Sequence, residues 1–370
     1  MNGIDRAVEA FRKILEEQTE RISRMNGEQT DTASKECITV GIIDGDGIGP
    51  IITKQAKAVL EKLLSEDIAN GKILLKEISG LTLENRIKEN ASVPEGVLRE
   101  IKKCDVLLKG PTETPMGGTM ESANVTLRRE LDLFANVRPV SIPEIGADWI
   151  FFRENTEGEY VLGSRGVLLD GMAVDFKVTT DRGTERIAKK AFDYAKQNGK
   201  SRVTVVTKAN IMKKTDGKFT SVCHKVAEDY PEITVDDMYI DIMTANLLNP
   251  AINKDFQVVV LPNLYGDIIT DEAAQLQGGV GTAGSANVGD RFAMFEAIHG
   301  SAPRLMEAGL GEYASPESIL RAAVMLLRHI GRKKAAERLE RALNGCSYKP
   351  DGTKNGATCA EYGKSILSAL

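Results

Sequence analysis

No apolar run in the 370-residue sequence approaches the roughly 18 residues that a membrane span needs, and the first residues carry no signal-peptide core. The five cysteines, Cys37, Cys104, Cys223, Cys346 and Cys359, are odd in number and lack paired metal-ligand spacing. That pattern excludes a disulfide framework and predicts reduced thiols in a cytoplasmic protein. Formal net charge is −5 with no basic stripe, so nucleic-acid binding has no electrostatic footprint. What is present is ordinary for a globular chain: 42% hydrophobic and 27% charged residues argue against disorder. The length exceeds what one core normally supports and predicts two domains or one deeply lobed unit.

The chain opens with Val8, Phe11, Ile14, Leu15 and Ile22 at helical spacing, then a polar stretch, Asn26–Ser34; residues 1–36 read as a helix and linker. The body begins with the β-branched run Ile38–Ile43, the turn Asp44-Gly45-Asp46-Gly47-Ile48-Gly49-Pro50 and a helix through Leu64. The third glycine falls one residue early and precedes proline, so the dinucleotide fingerprint is not met; a strand-to-helix corner needing positive φ explains the glycines at least as well. A second strand-like run, Val106–Lys109, ends in Gly110-Pro111-Thr112-Glu113-Thr114-Pro115-Met116-Gly117-Gly118, a loop at a strand's carboxyl end, where α/β folds bind ligands. A helix over Glu121–Leu131 follows, then short β-like runs to Thr180, including Val174–Thr180, a helix over Glu185–Asn198, and resumed strand-helix alternation. The class is α/β.

The richest stretch is Asn263–Glu272, which follows the apolar run Val258–Leu261 and opens a helix. Asp267 and Asp271, four apart, stack on one helix face, where like charges repel unless a cation lies between them. Asp241, opening another apolar helix, offers a third oxygen, and an all-oxygen set suits Mg²⁺ or Mn²⁺. Taken alone, such a pair is more often two helix-start acids facing water than a metal site. Arg128, Arg138 and Arg153, near element ends in an acidic protein, have the fork geometry for carboxylates. Each alone is more often a surface charge or an internal salt bridge.

The blocks Gly45–Pro50, Ser122–Asn124 with Arg128–Pro139, Arg153–Tyr160, Lys208–Lys213, Gly266–Asp271 and His299–Pro303, in this order, resemble the metal-dependent β-decarboxylating dehydrogenases that act on isocitrate, isopropylmalate and relatives. The resemblance spans roughly residues 37–370. It implies two α/β domains with active sites in the cleft and no Rossmann fold. The large domain would comprise 37–134 and 278–370, and the small domain 135–277 with an interlocking arm near Leu162–Thr180. It also implies a homodimer with shared sites. Asp241, Asp267 and Asp271 match the metal-binding acids, with Asp241 and the base Lys208 supplied by the neighbouring subunit. Tyr160 matches the residue that protonates the enolate carbon, and Arg128, Arg138 and Arg153 match the substrate clamps.

Ser122 and Asn124 resemble the isocitrate pattern, where a hydroxyl and an amide receive a third carboxylate. Beside an isopropyl arm such groups would lose water without a partner, at about 1–3 kcal/mol each. Homoisocitrate, one methylene longer, is the nearest competitor. The family also includes 3-isopropylmalate dehydrogenases and non-catalytic regulatory subunits. The resemblance implies cofactor contacts at Thr114, Glu121, Asn210, His299, Gly300, Ser301, Ala302 and Arg304. NAD is favoured over NADP: Arg304-Leu305 lacks the lysine-tyrosine pair of NADP-using relatives, and Glu121 matches an acid near the nicotinamide ribose of NAD users.

Overall fold

The computed structural model describes residues 3–25, 30–115, 120–162, 166–348 and 350–370. Met116-Gly117-Gly118 of the glycine-proline loop, part of the 26–34 linker and residues 163–165 of the expected arm lie outside the described residues. The chain divides into two compact units: unit 1 comprises Met1–Glu28 and Asp132–Gln277, unit 2 comprises Gln29–Leu131 and Gly278–Leu370. The N-terminal prelude is thus split, its helix Gly3–Arg24 belonging to unit 1.

The first segment of unit 2 carries β1 (Ile38–Ile43), β2 (Ile73–Glu77) and β3 (Val106–Lys109). Unit 1 carries β4 (Ala135–Ile142), β5 (Ala147–Glu154), β6 (Val167–Leu169), β7 (Met172–Val174), β8 (Arg202–Thr207), β9 (Thr234–Tyr239) and β10 (Val258–Leu261). The second segment of unit 2 adds β11 (Gly284–Val288) and β12 (Ala293–Ala297).

In unit 2 the strand order is β2-β1-β3-β12-β11, parallel except for the β11–β12 hairpin. β1 and β3 are buried nearly throughout, as parallel strands covered on both faces must be, which is why they read as continuous apolar runs. Helix Gly49–Leu63 leaves β1 through the glycine turn with Pro50 in its first turn, where a missing N–H costs nothing.

In unit 1 the order is β4-β5-β10-β8-β9, parallel except for β4–β5, with β6 and β7 as a separate hairpin. Alternate residues feed two cores. Ile150, Phe152, Val258 and Val260 face one core with Ile187 and Phe192 of helix Asp181–Gln197. Trp149, Phe151, Val259 and Leu261 face the other with Ile269 and Ala273 of helix Asn263–Leu276.

Two elements of unit 1 differ from the sequence reading. The helix expected from Glu185 begins at Asp181, because the Thr180 side chain accepts the Gly183 amide as an N-cap. The β-like run Val174–Thr180 keeps only Val174 in a strand and a single bridge, Val178 to Gly158. All five cysteines are free; Cys104, Cys223 and Cys359 are buried.

Candidate active site

Pro262, in extended conformation, turns β10 into helix Asn263–Leu276 and so places Asp267 and Asp271 one turn apart. Each meets its own guanidinium. Arg153 at the end of β5 ion-pairs with Asp267, and Arg138 on β4 donates from Nη1 to Asp271 Oδ1 at 2.7 Å and Thr270 Oγ1 at 2.6 Å. The cation demanded by the four-residue spacing is therefore already present as arginine. Arg153 is wholly buried, and its Nε and Nη2 donate to Asn263 Oδ1 at 2.9 and 2.7 Å. The Tyr160 hydroxyl donates to the other oxygen of Asp267 at 2.6 Å, and the Arg153 guanidinium lies 5.3 Å from its ring centre.

Gly266 makes this network possible: a Cβ there would stand 2.5 Å from Arg153 Cγ. Sequence reasoning singled out the aspartates but not Asn263, Gly266 or Thr270 in the same stretch, whose roles depend on strands far away in the chain. Asp267 and Asp271 remain 39% and 59% exposed, so both keep accessible oxygens, and a carboxylate donor set fits a hard divalent cation.

Lys208, just beyond β8, pairs through Nζ with Asp241 Oδ1 at 2.6 Å, which holds the Asp241 carboxyl below its usual range. The Lys208 amide donates to Asp216 Oδ2 at 2.8 Å, and the buried Asp216 pairs with Lys177 at 2.6 Å. Asp216 thus anchors the Lys208 turn, a role absent from the sequence reading. Asn210 is exposed in that turn. Among the described residues no three His, Cys, Asp or Glu side chains gather as a metal site, so Asp241 does not join Asp267 and Asp271 within one chain.

In unit 2, Gly45 and Gly47 have φ of 74° and 59°, and a Cβ on either would stand 2.0 Å from Pro111 O or 2.1 Å from Ser301 O. These glycines serve close backbone packing of three loops, the corner reading. Asp46 ties them further, accepting from Leu83 N at 2.7 Å and Glu113 N at 2.8 Å. The buried Arg86 donates to Glu113 O at 2.6 Å and Glu121 O at 3.2 Å.

Ser122 is the N-cap residue of helix Ala123–Glu130, without a side-chain cap bond, so Glu121 precedes the helix rather than opening it. Asn124 Oδ1 accepts from Thr112 at 3.3 Å. Glu121 is gripped by Arg129 at 2.9 and 2.7 Å and by Thr126 at 2.8 Å. Arg128 rests on Glu296 at 3.4 Å, while Lys109 and Asn287 reach the same carboxylate at 3.3 and 2.8 Å. Burial alone would raise the Glu296 pKa, but Lys109, Arg128 and Asn287 outweigh it and hold it low.

Residues 39–360 match the family described as isocitrate/isopropylmalate dehydrogenase. The chain belongs to this family. It is 39% identical over 350 residues, 90% of this chain and 88% of the other, to isocitrate dehydrogenase (NAD) catalytic subunit 5, mitochondrial, of Arabidopsis thaliana. With isocitrate dehydrogenase (NAD) subunit alpha, mitochondrial, of Homo sapiens it shares 38% over 340 residues, 89% of each chain. The crystal structure of isocitrate dehydrogenase from Methylococcus capsulatus matches with a TM-score of 0.79 at 35% identity, covering 90% of this chain and 99% of that one.

The Arabidopsis and human relatives overturn the cytoplasmic placement, since both are mitochondrial proteins. Unpaired cysteines separate reducing from oxidising surroundings, not one reducing compartment from another.

The loop His299–Pro303 combines a left-handed alanine with an acceptor that has no protein partner. Ala302 sits at φ 50°, ψ 56°, the left-handed region, just before Pro303 opens a short helix. A non-glycine residue there stores about 1–3 kcal/mol. Nδ1 of His299 lies 3.1 Å from Gly300 O, which can only accept, so Nδ1 carries the proton and Nε2 is left as a buried acceptor without a protein partner. Burial lowers the ring's pKa and keeps it neutral. Ser301 is buried; Thr114, Gly300 and Arg304 are exposed.

Proposed function

We propose that the chain oxidatively decarboxylates isocitrate to 2-oxoglutarate and CO₂ while reducing NAD⁺, with Mg²⁺ or Mn²⁺ bound at Asp267 and Asp271. The observation that carries this reading is the Tyr160–Asp267–Arg153 network, which joins a proton donor, a half-exposed oxygen ligand and a carboxylate-binding fork. The polar pair Ser122 and Asn124 favours a third carboxylate over an isopropyl arm.

Arg138 and Arg128 each keep a buried Nε–H without a protein partner, a donor suited to a substrate carboxylate. Arg153 fixes the direction of Tyr160 through Asp267. Lys208, oriented by Asp241, takes part in removing the proton of the substrate alcohol, and Tyr160 delivers a proton to the carbon that loses CO₂. A divalent cation held by Asp267 and Asp271 would supply Lewis acidity for the substrate's oxygens, and NAD⁺ held along the His299–Arg304 loop would supply the hydride acceptor. Nε2 of His299 suits an amino-group donor such as that of adenine. Thr114, Glu121, Asn210, Gly300, Ser301, Ala302 and Arg304 complete the cofactor contacts. A second copy of the chain supplies Lys208 and Asp241 to each site; the pairing of Asp241 with Lys208 in its own chain supports that assignment.

The test is turnover of the purified chain with isocitrate, homoisocitrate and 3-isopropylmalate, each with NAD⁺ and NADP⁺ and a divalent metal. Isocitrate with NAD⁺ is expected to be best, with homoisocitrate lower by about 10–200-fold. A preference for 3-isopropylmalate, or no turnover of any of the three, would overturn the reading. Co-refolded Lys208→Met and Tyr160→Phe chains, each inactive alone, are expected to regain part of the activity. No recovery on mixing would rule out sites shared between copies.

A further inference from the structure

Helix Gly3–Arg24 lies before the residues that match the family, yet it brackets the loop carrying Tyr160. On one side Arg21 pairs with the buried Glu157, its Nη1 donates to Thr156 Oγ1 at 3.3 Å, and its Nε donates to Gln18 at 2.8 Å. On the other, Ile14 packs with Val161, Phe176 and Val178, and Phe11 lies 4.9 Å from Phe176 between ring centres. Tyr160 stands between these two anchor points in the chain.

Glu157 is the junction. Its carboxylate accepts the Thr180 amide at 2.9 Å and the Thr180 hydroxyl, and it fills the space a Cβ on Gly183 would take, 2.2 Å away. Its backbone carbonyl accepts Asn263 Nδ2 at 3.0 Å, and the oxygen of that same amide receives Nε and Nη2 of Arg153. A continuous hydrogen-bonded path therefore runs from Arg21 through Glu157 and Asn263 to Arg153, Asp267 and Tyr160.

The charge arrangement makes Arg21 hard to replace. Glu154, also buried, accepts from Thr156 N at 3.0 Å and Glu157 N at 2.6 Å, so two carboxyls share one interior pocket. Burial first, then Glu157, pushes the Glu154 carboxyl up to about 7, with Arg21 acting in the opposite direction. The facing charges are Arg21 from the N-terminal helix and Arg186 from helix Asp181–Gln197, and Arg186 is already committed to Asp132 at 2.7 Å.

We propose that Arg21 is a positioning residue for the reaction, clamping the Glu157–Val161 loop so that Tyr160 and Arg153 keep their geometry; this rests on the function proposed above. The test uses the full-length chain. Arg21→Gln is expected to lower kcat for isocitrate by about 10-fold or more while KM changes less, because a misplaced reacting group costs rate. The acid limb of its kcat/KM profile moves to higher pH, since removing the Arg21 cation makes the buried Glu154 carboxyl bind a proton more readily. Arg21→Lys restores most of both effects, and Ile14→Ala, which leaves the charges intact, lowers kcat without moving the profile.

Amide hydrogen exchange over residues 154–162, measured without substrate, is expected to quicken in Arg21→Gln. An active wild type whose Arg21→Gln variant matches it in kcat, pH profile and exchange would overturn the proposal. A wild type that turns over none of the three acids would instead defeat the proposed function, and the exchange comparison would still decide on Arg21: faster exchange supports the clamp, unchanged exchange refutes it.

Discussion

In unit 2, Glu296 is almost fully buried and its oxygens are taken up by Lys109, Arg128 and Asn287; in unit 1, Asp267 and Asp271 each meet one arginine and stay 39% and 59% exposed. Both arrangements join carboxylates to guanidinium groups. The difference lies in what remains of each carboxylate after the protein has bonded to it. A buried anion between two cations and an amide is occupied in orienting Arg128, and removing it leaves uncompensated charge in the interior. A half-exposed anion with one protein cation retains lone pairs for a metal.

Three substitutions break or sharpen that contrast. The largest effect is expected from Asp267→Asn, which should lower metal-supported kcat by about 10³-fold, several kcal/mol of transition-state stabilisation. Steady-state assays at saturating Mn²⁺ would read this, and full activity persisting with a chelator present would show the metal assignment to be wrong. The same variant should also lose stability in urea, by about 1–3 kcal/mol, because the wholly buried Arg153 loses its anion while the position of Asp267 stays partly solvated and Asn263 still holds the guanidinium.

Glu296→Leu should cost more stability, about 3–5 kcal/mol in the same urea titration, by stranding Lys109 and Arg128 together in the interior. Its pH signature follows from the depressed Glu296 pKa. That contribution is fully present above the unfolded value of about 4.3 and is lost as pH falls through the folded value. The variant should therefore show a shallower fall in stability below that range, and an unchanged acid slope would contradict the assignment.

The smallest effect is expected at Arg304, which is exposed. Arg304→Asp should change the NAD⁺ to NADP⁺ ratio of kcat/KM by less than about tenfold, since a lone exposed cation contributes at most about 1 kcal/mol. A wild-type preference for NADP⁺ of tenfold or more that vanishes in the variant would reverse the cofactor reading.

β1, β3 and β10 were legible because parallel strands covered on both faces must be apolar throughout, and turns written in glycine and proline delimit them. The spacing of Asp267 and Asp271 announced a need for positive charge but not its source. Arg153 lies 114 residues from Asp267, and only the β5–β10 pairing brings them together. Glu296 gave no local sign at all: it stands in the apolar strand β12, 168 residues from Arg128, and its neighbours are set by register with β3 and β11. Helix Asp181–Gln197 starts ahead of the expected Glu185 because Thr180 acts as a cap only once Glu157 has oriented its hydroxyl. Local chemistry was readable, whereas contacts created by strand order were not.

The interrupted construction of unit 2 bears on the order of assembly. β3 is synthesised early, but its neighbour β12 emerges only after the main segment of unit 1. A nascent chain growing from its N-terminus can close that segment of unit 1 while β3 still lacks one neighbour. During that interval Val106-Leu107-Leu108-Lys109 presents an apolar edge of the kind that invites pairing with a second nascent chain. Lys109 is the one charge on that edge. Before it is buried against Glu296 it stands as a gatekeeper against misassembly, so a residue that is costly to bury in the finished protein protects the unfinished one.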